Sequence, residues 1–195
     1  MARLPIRIFG DPVLRERALE VETFDEALAR LAEDMMETMR TSAGAGLAAT
    51  QVGVLKRLFT FDIARGGEDV AGGPPTAGAL VNPEVVETSE ELQEDEEGCL
   101  SFPGLFYPTT RPLRVRLRAQ DVAGEHLEVQ GEGLLARVFL HEVDHLNGIL
   151  FIDHLARHDR RDAMRRIRSG ELEHPPETVP DTGAAGDHTG DAPVA

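Results

Sequence analysis

The chain of 195 residues carries 20 Lys and Arg against 35 Asp and Glu, a formal charge of −15, which excludes a protein built mainly to coat phosphate backbones. Its length fits one domain with some chain to spare, and 41% hydrophobic residues with 28% charged suit a globular fold that buries its core without disulfides. A single cysteine excludes an internal disulfide framework and, with no apolar run near the roughly 18 residues of a membrane span, points to the cytoplasm, with no DNA and no membrane as partner.

Pro5, Gly10 and Pro12 stand where a signal peptide would carry its apolar stretch. The first helix is expected over residues 24–40. Thr23 followed by Glu26 makes a capping-box pattern, and Leu28, Leu31, Met35 and Met39 recur at three- and four-residue steps along one face. Gly44 and Gly46 end that helix and open a loop. Residues 57–63 and 79–82 read as strands, joined by a Gly/Pro-rich surface loop over residues 66–78. Residues 84–97 hold eight acidic side chains and read as a solvated edge.

Residues 111–119 alternate cleanly, with Leu113, Val115, Leu117 and Ala119 between Arg114, Arg116 and Arg118. A turn at Ala123 and Gly124 leads to a partner strand over residues 126–129. A helix over residues 134–147 follows Gly133 and is stopped by Gly148. A short Arg-rich helix over residues 159–169 closes the fold. Long helices among separate strands, without βα alternation, predict an α+β fold with antiparallel sheet. Domain organisation follows: one folded domain over residues 1–170, then a tail over residues 171–195. That tail has six acidic residues, no Lys or Arg, and repeated Pro and Gly, too little apolar surface to offset ordering.

His141-Glu142-Val143-Asp144-His145 is an H-E-x-x-H sequence inside the predicted helix. At about 100° per residue the two histidines lie on one face, a turn apart, and can share a metal ion with Glu142 beside its open position. The third ligand separates the families. A metzincin would need a histidine where Phe151 stands, and the glutamates a thermolysin-like site would use, Glu171 and Glu173, fall in the tail. Cys99 is the remaining soft ligand. It follows Glu94-Asp95-Glu96-Glu97, whose charge opposes a nucleophilic thiolate unless a bound cation reverses that logic. A buried inert thiol and a Cys–His nucleophilic pair are the two other readings of Cys99.

Three segments then carry a resemblance. Gly44-Ala45-Gly46-Leu47-Ala48-Ala49-Thr50-Gln51, Glu97-Gly98-Cys99-Leu100-Ser101 and His141-Glu142-Val143-Asp144-His145-Leu146 resemble, in order and spacing, the signature motifs of bacterial peptide deformylases, over about residues 6–155. The resemblance implies antiparallel sheets packed around a central helix that carries the H-E-x-x-H motif. It implies a metal-dependent hydrolase that removes the N-formyl group from the initiator methionine of new polypeptides. Cys99, His141 and His145 would bind one divalent ion, Fe2+ in the cell, with Zn2+, Ni2+ or Co2+ able to substitute. Glu142 would act as general base and acid, with the Gln51 amide and the Leu100 N–H donating to the oxyanion. Gly44, Ala45, Gly46, Glu97 and Gly98 would lie along an extended N-formylmethionyl peptide, and Leu134 and Val138 would wall the methionine pocket.

Two positions depart from the family pattern: Leu140, where glutamine is common, and Gly104-Leu105-Phe106-Tyr107-Pro108, where some members are more polar. His126, His174 and His188 read as surface residues and His154 as structural. The segment Arg157–Arg168 has six arginines and two aspartates, a local +4 that suggests contact with the ribosome. An H-E-x-x-H endopeptidase and a non-catalytic relative that binds formylated peptides are the rival readings.

Overall fold

The computed structural model describes residues 3–64, 75–170 and 172. Among these stand helices α1 (Glu26–Thr41), α2 (Leu134–Leu146) and α3 (Arg157–Arg168). The strands are β1 (Gly46–Ala48), β2 (Leu58–Asp62), β3 (Ala77–Thr88), β4 (Leu92–Gly98), β5 (Phe106–Pro112), β6 (Arg114–Gln120) and β7 (His126–Glu132). Five strands form a sheet in the order β1-β2-β3-β6-β7 and β4 pairs with β5, all antiparallel. The expected α+β class with antiparallel sheets around a central helix is what the chain adopts. Among the described residues no helix is long and apolar enough to cross a membrane.

Strand β2 shows why the sheet takes a helix on each face. All five of its residues are buried, and successive side chains point to opposite sides. Phe59 and Phe61 pack with Phe139, Val138 and Leu146 of α2, whereas Leu58 joins Leu28, Met35 and Met39 of α1. The amphipathic stripe read for α1 is that buried face, with Leu31 half-buried at its margin. The cap differs from expectation. Asp25, not Thr23, sits at the N-cap, and its carboxylate accepts from the Leu28 N–H at 2.9 Å, because the helix begins two residues later than its apolar pattern suggests.

The acidic run is not merely a solvated edge: it builds the end of β3 and nearly all of β4. Its outward carboxylates face the arginines of β6, with Glu87 against Arg116 at 2.6 Å and Glu91 against Arg114 at 3.0 Å. Pairs this exposed contribute little to stability, because water screens them. The strand expected over residues 111–119 is two strands meeting at a corner: Arg111 and Pro112 end β5, and β6 starts at Arg114. Strand β3 is far longer than residues 79–82 because register shifts between Val81 and Glu84 and between Val85 and Glu87 interrupt its alternation. Of the loop expected over residues 66–78, Ala77 and Gly78 belong to β3, and residues 65–74 lie outside the described residues.

Helix α2 runs through the middle with ten buried residues. It stops where expected: Gly148 takes φ +73°, and a Cβ there would collide with the Arg15 carbonyl, so only glycine fits. Beyond it, Phe151 and Ile152, together with Ala163 of α3, pack with Phe102, Leu105 and Cys99. Leu172 is buried in this same cluster, so the folded body continues past Gly170, the boundary expected from composition. Apart from Leu172, the segment over residues 171–195 lies outside the described residues. Ending the chain after Gly170 is expected to lower unfolding free energy by about 1.5–3 kcal/mol, the burial of one leucine side chain. Urea unfolding of that truncation beside Leu172→Ala measures it, and equal stability of all three forms would remove the packing role.

Candidate metal centre

Helix α2 places His141 and His145 one turn apart, and the end of β4 brings Cys99 against them. Cys99 Sγ lies 3.2 Å from His145 Nε2. One ligand atom from each of the three residues falls within 4.8 Å of the others, and all three side chains are buried. His141 Nδ1 meets Glu97 Oε1 at 2.7 Å, which fixes the ring and leaves Nε2 for the sulfur side. The sequence-expected metal ligands are thus brought together.

The donors' chemistry fits a soft or borderline divalent cation. Burial opposes charge on His141, yet the neighbouring Cys99 sulfur and Glu97 carboxylate hold its pKa well above the ordinary value. Surroundings that favour a proton there favour a cation as well. Burial, and then the nearby His141, push His145 well below the ordinary value, keeping it a neutral donor.

Glu142 lies beside these ligands, buried, with Oε2 lacking a hydrogen-bond partner among the described residues. Burial pushes its carboxyl up to about 7. It rests against Gly46 so closely that a Cβ there would fall 2.8 Å from its carboxyl carbon. Gln51 is held by its own loop: the Ala48 N–H donates to Oε1 at 2.8 Å. Its Nε2 donates to Ser101 Oγ at 3.2 Å and approaches Cys99 Sγ at 3.5 Å. Leu100 is half-buried against the α1 cluster. Gly44 is buried and Ala45 half-buried, and β1 pairs only with β2, so its other edge lies open among the described residues.

Two expected substrate contacts are corrected. Glu97 is fully buried and both its oxygens are taken: Oε1 by Arg111 Nη2 and His141, Oε2 by Arg111 Nε and Arg137 Nη1, at 2.6–3.0 Å. Its carboxylate holds a metal ligand and cannot also face a peptide. Burial alone would raise its pKa, but His141 and Arg111 hold it well below the carboxylate range. Val138 is wholly enclosed between α2 and the sheet, so of the two expected pocket walls only Leu134 keeps exposed surface. Gly98 lies under the ring of Phe106, which is partly exposed.

Sequence reasoning missed Arg111, Arg137, Asp144 and Ser101. Arg111 donates through Nη1 to Asp144 Oδ2 at 2.6 Å while holding Glu97, so it ties the ligand-bearing strand to the ligand-bearing helix. The Ser101 N–H donates to Cys99 Sγ at 3.4 Å. One signal was present: Arg137 precedes His141 by four residues in the otherwise apolar first half of α2, and a charge so placed needs a buried partner. His154 is structural, its Nε2 2.8 Å from Asp144 Oδ2, and His126 is exposed at the start of β7. His174 and His188 lie outside the described residues. Leu140 packs half-buried against the α2 cluster. In the 104–108 segment Leu105 and Tyr107 are buried, and the Tyr107 hydroxyl donates to Asp162 of α3 at 2.7 Å.

A family model described as polypeptide deformylase matches residues 3–161. A peptide deformylase of Thermotoga neapolitana is 51% identical over 150 residues, 77% of this chain and 85% of that one. One of a Parafrankia species is 45% identical over 171 residues, 88% of each. Among solved structures, a peptide deformylase from Legionella pneumophila superposes with a TM-score of 0.79 at 40% identity, covering 87% of this chain and 96% of that one. One from Ehrlichia chaffeensis, in complex with actinonin, gives 0.79 at 36% identity, covering 88% and 99%.

Proposed function

The chain belongs to the polypeptide deformylase family, and from that premise we propose how its own residues remove the formyl group from the initiator methionine of new polypeptides. One observation carries the reading: a thiol and two imidazoles converge beside a buried carboxylate, one oxygen of which has no partner among the described residues. Cys99, His141 and His145 would hold one divalent ion, for which we propose ferrous iron in the cell, with zinc, nickel or cobalt suiting the same donors. When bound, the ion would supply Lewis acidity and bring the pKa of a water molecule down to about 7.

Glu142 takes the proton from the attacking water and returns it to the departing amine. The Gln51 amide, oriented through Ala48, and the Leu100 N–H donate to the oxygen that gains charge, each worth about 2.7–4 kcal/mol of barrier. The open edge at Gly46 of β1, with Gly44 and Ala45 leading into it, accepts the peptide as an added strand, and Gly98 borders it from β4. Leu134 lines the methionine side chain's site.

Anaerobically purified protein is expected to contain one iron per chain and to release formate from formyl-Met-Ala-Ser with no cleavage of internal peptide bonds. Formate release without a stoichiometric transition metal, or cleavage inside the peptide instead, would overturn the reading. The working address is the cytoplasm, where nascent chains emerge. For the ribosome we assign the exposed Arg157, Arg161 and Arg168 of α3, since Arg160 and Arg165 are paired with Asp153 and Asp162. Changing those three to Glu is expected to reduce co-sedimentation with ribosomes, and more so at low salt; undiminished association would remove the contact.

A further inference from the structure

We propose that Arg40 selects the third residue of the substrate, favouring an acidic side chain there over a basic one. The inference rests on the deformylase reading and adds a specificity to it. A cleft of about 300 Å³ is lined by Arg40, Ala43, Gly44 and Asp62, at the end of β1 away from the metal ligands. Its direction follows from Glu142, which packs against Gly46. A peptide laid along the open edge of β1 with its formyl end at Gly46 runs toward Gly44. At about 3.3 Å per residue that is about 7 Å, two residues on, with the first and third side chains on one face. The third residue therefore arrives at the cleft.

The charge presented there is set by burial. Arg40 Nε donates to Asp62 Oδ2 at 2.7 Å. The Asp62 side chain is 1% exposed and the Arg40 side chain 45%. A lysine from the substrate cannot reach the carboxylate, whereas a carboxylate can reach the guanidinium. Among the described residues Asp62 is the one carboxylate paired with Arg40, and that bond uses Nε, leaving the terminal nitrogens to offer a forked contact. The Asp62 N–H donates to the Ala45 carbonyl at 2.9 Å, so the pair is fixed to the strand that receives the peptide. The chain's net charge of −15 opposes acidic peptides at long range, but that field is screened beyond about 8 Å at 0.15 M salt.

The test compares kcat/KM for formyl-Met-Ala-Asp amide, formyl-Met-Ala-Ala amide and formyl-Met-Ala-Lys amide at 0.15 M salt, on the full iron-loaded chain. The amide ends remove the terminal carboxylate as a competing anion. Wild type is expected to prefer Asp over Lys by about fivefold, the upper range for a partly exposed ion pair. Arg40→Gln should bring the ratio to about one and Arg40→Glu should reverse it. Inhibition constants of the deformylated product peptides should follow the same order. A wild-type ratio of one or less overturns the inference without recourse to any variant, as does an unchanged ratio in Arg40→Gln. If the alanine peptide releases formate while the ratio is flat, Arg40 is wrong and the deformylase reading stands. If none of the three peptides releases formate, both fall.

Discussion

Glu142→Gln is expected to lower kcat/KM for formyl-Met-Ala-Ser by about 10²–10⁴-fold, the range for a positioned general acid–base, while the protein keeps one bound metal. The substitution preserves size and leaves Cys99, His141 and His145 untouched, so lost activity with full metal content isolates proton transfer. The carboxylate suits the task because its pKa, pushed up to about 7 by burial, lies near working pH. A second readout comes from stability. The folded value lies above the ordinary 4.5, so the folded state binds the proton more tightly than the unfolded chain. Glu142 therefore costs metal-free protein nothing below pH 4.5, and its burial penalty grows as pH rises toward 7. Metal-free Glu142→Gln should gain on wild type across that window, approaching about 3 kcal/mol. Urea unfolding at pH 4.5, 6 and 8 measures the gap. Full activity in the variant would end the general-base assignment, and a gap independent of pH would end the burial argument.

What could be read from residue order was whatever depends on periodic apolar patterning. Helices α1 and α2, strand β6 and its hairpin to β7 show it because one face of each packs against carbon. The β4–β5 ribbon was hidden for the opposite reason. Its inward-facing residues include Glu97, Thr109 and Arg111, so a strand that serves the metal centre looks like a solvated segment. Strand β3 was shortened because its bulges and the positive φ of Asn82 break the alternation. The metal ligands were legible since two share a helix turn and the third sits in a recognisable motif. Their support was not: Glu97 reaches Arg111, Arg137 and His141, which lie 14, 40 and 44 residues away, and no local pattern encodes a carboxylate's distant partners.

That support carries the second large effect. Glu97→Ala is expected to lower unfolding free energy by about 3–5 kcal/mol, because it strands the buried Arg137 guanidinium without its counter-charge and leaves Arg111 with Asp144 alone. Arg137 is the more exposed to this loss energetically, since its Nη2 already lacks a partner among the described residues. Metal affinity should fall about 10–100-fold, as happens when the group behind a ligating histidine is removed, here because His141 Nδ1 loses its acceptor at 2.7 Å. Glu97→Gln keeps the shape but turns an amide toward one arginine, so its loss should be intermediate. The sign with pH follows from the depressed folded pKa of Glu97. Its contribution is present above the ordinary 4.5 and is lost as pH falls below it, so wild type and Glu97→Gln should converge in acid. Arg111→Met cuts the tie between β4 and Asp144 of α2 from the other side. If the network acts as one unit, the Glu97→Gln and Arg111→Met losses should fail to add by about 0.5–3 kcal/mol. Additive losses, with metal affinity unchanged in Glu97→Ala, would mean that the carboxylate only fills space behind His141.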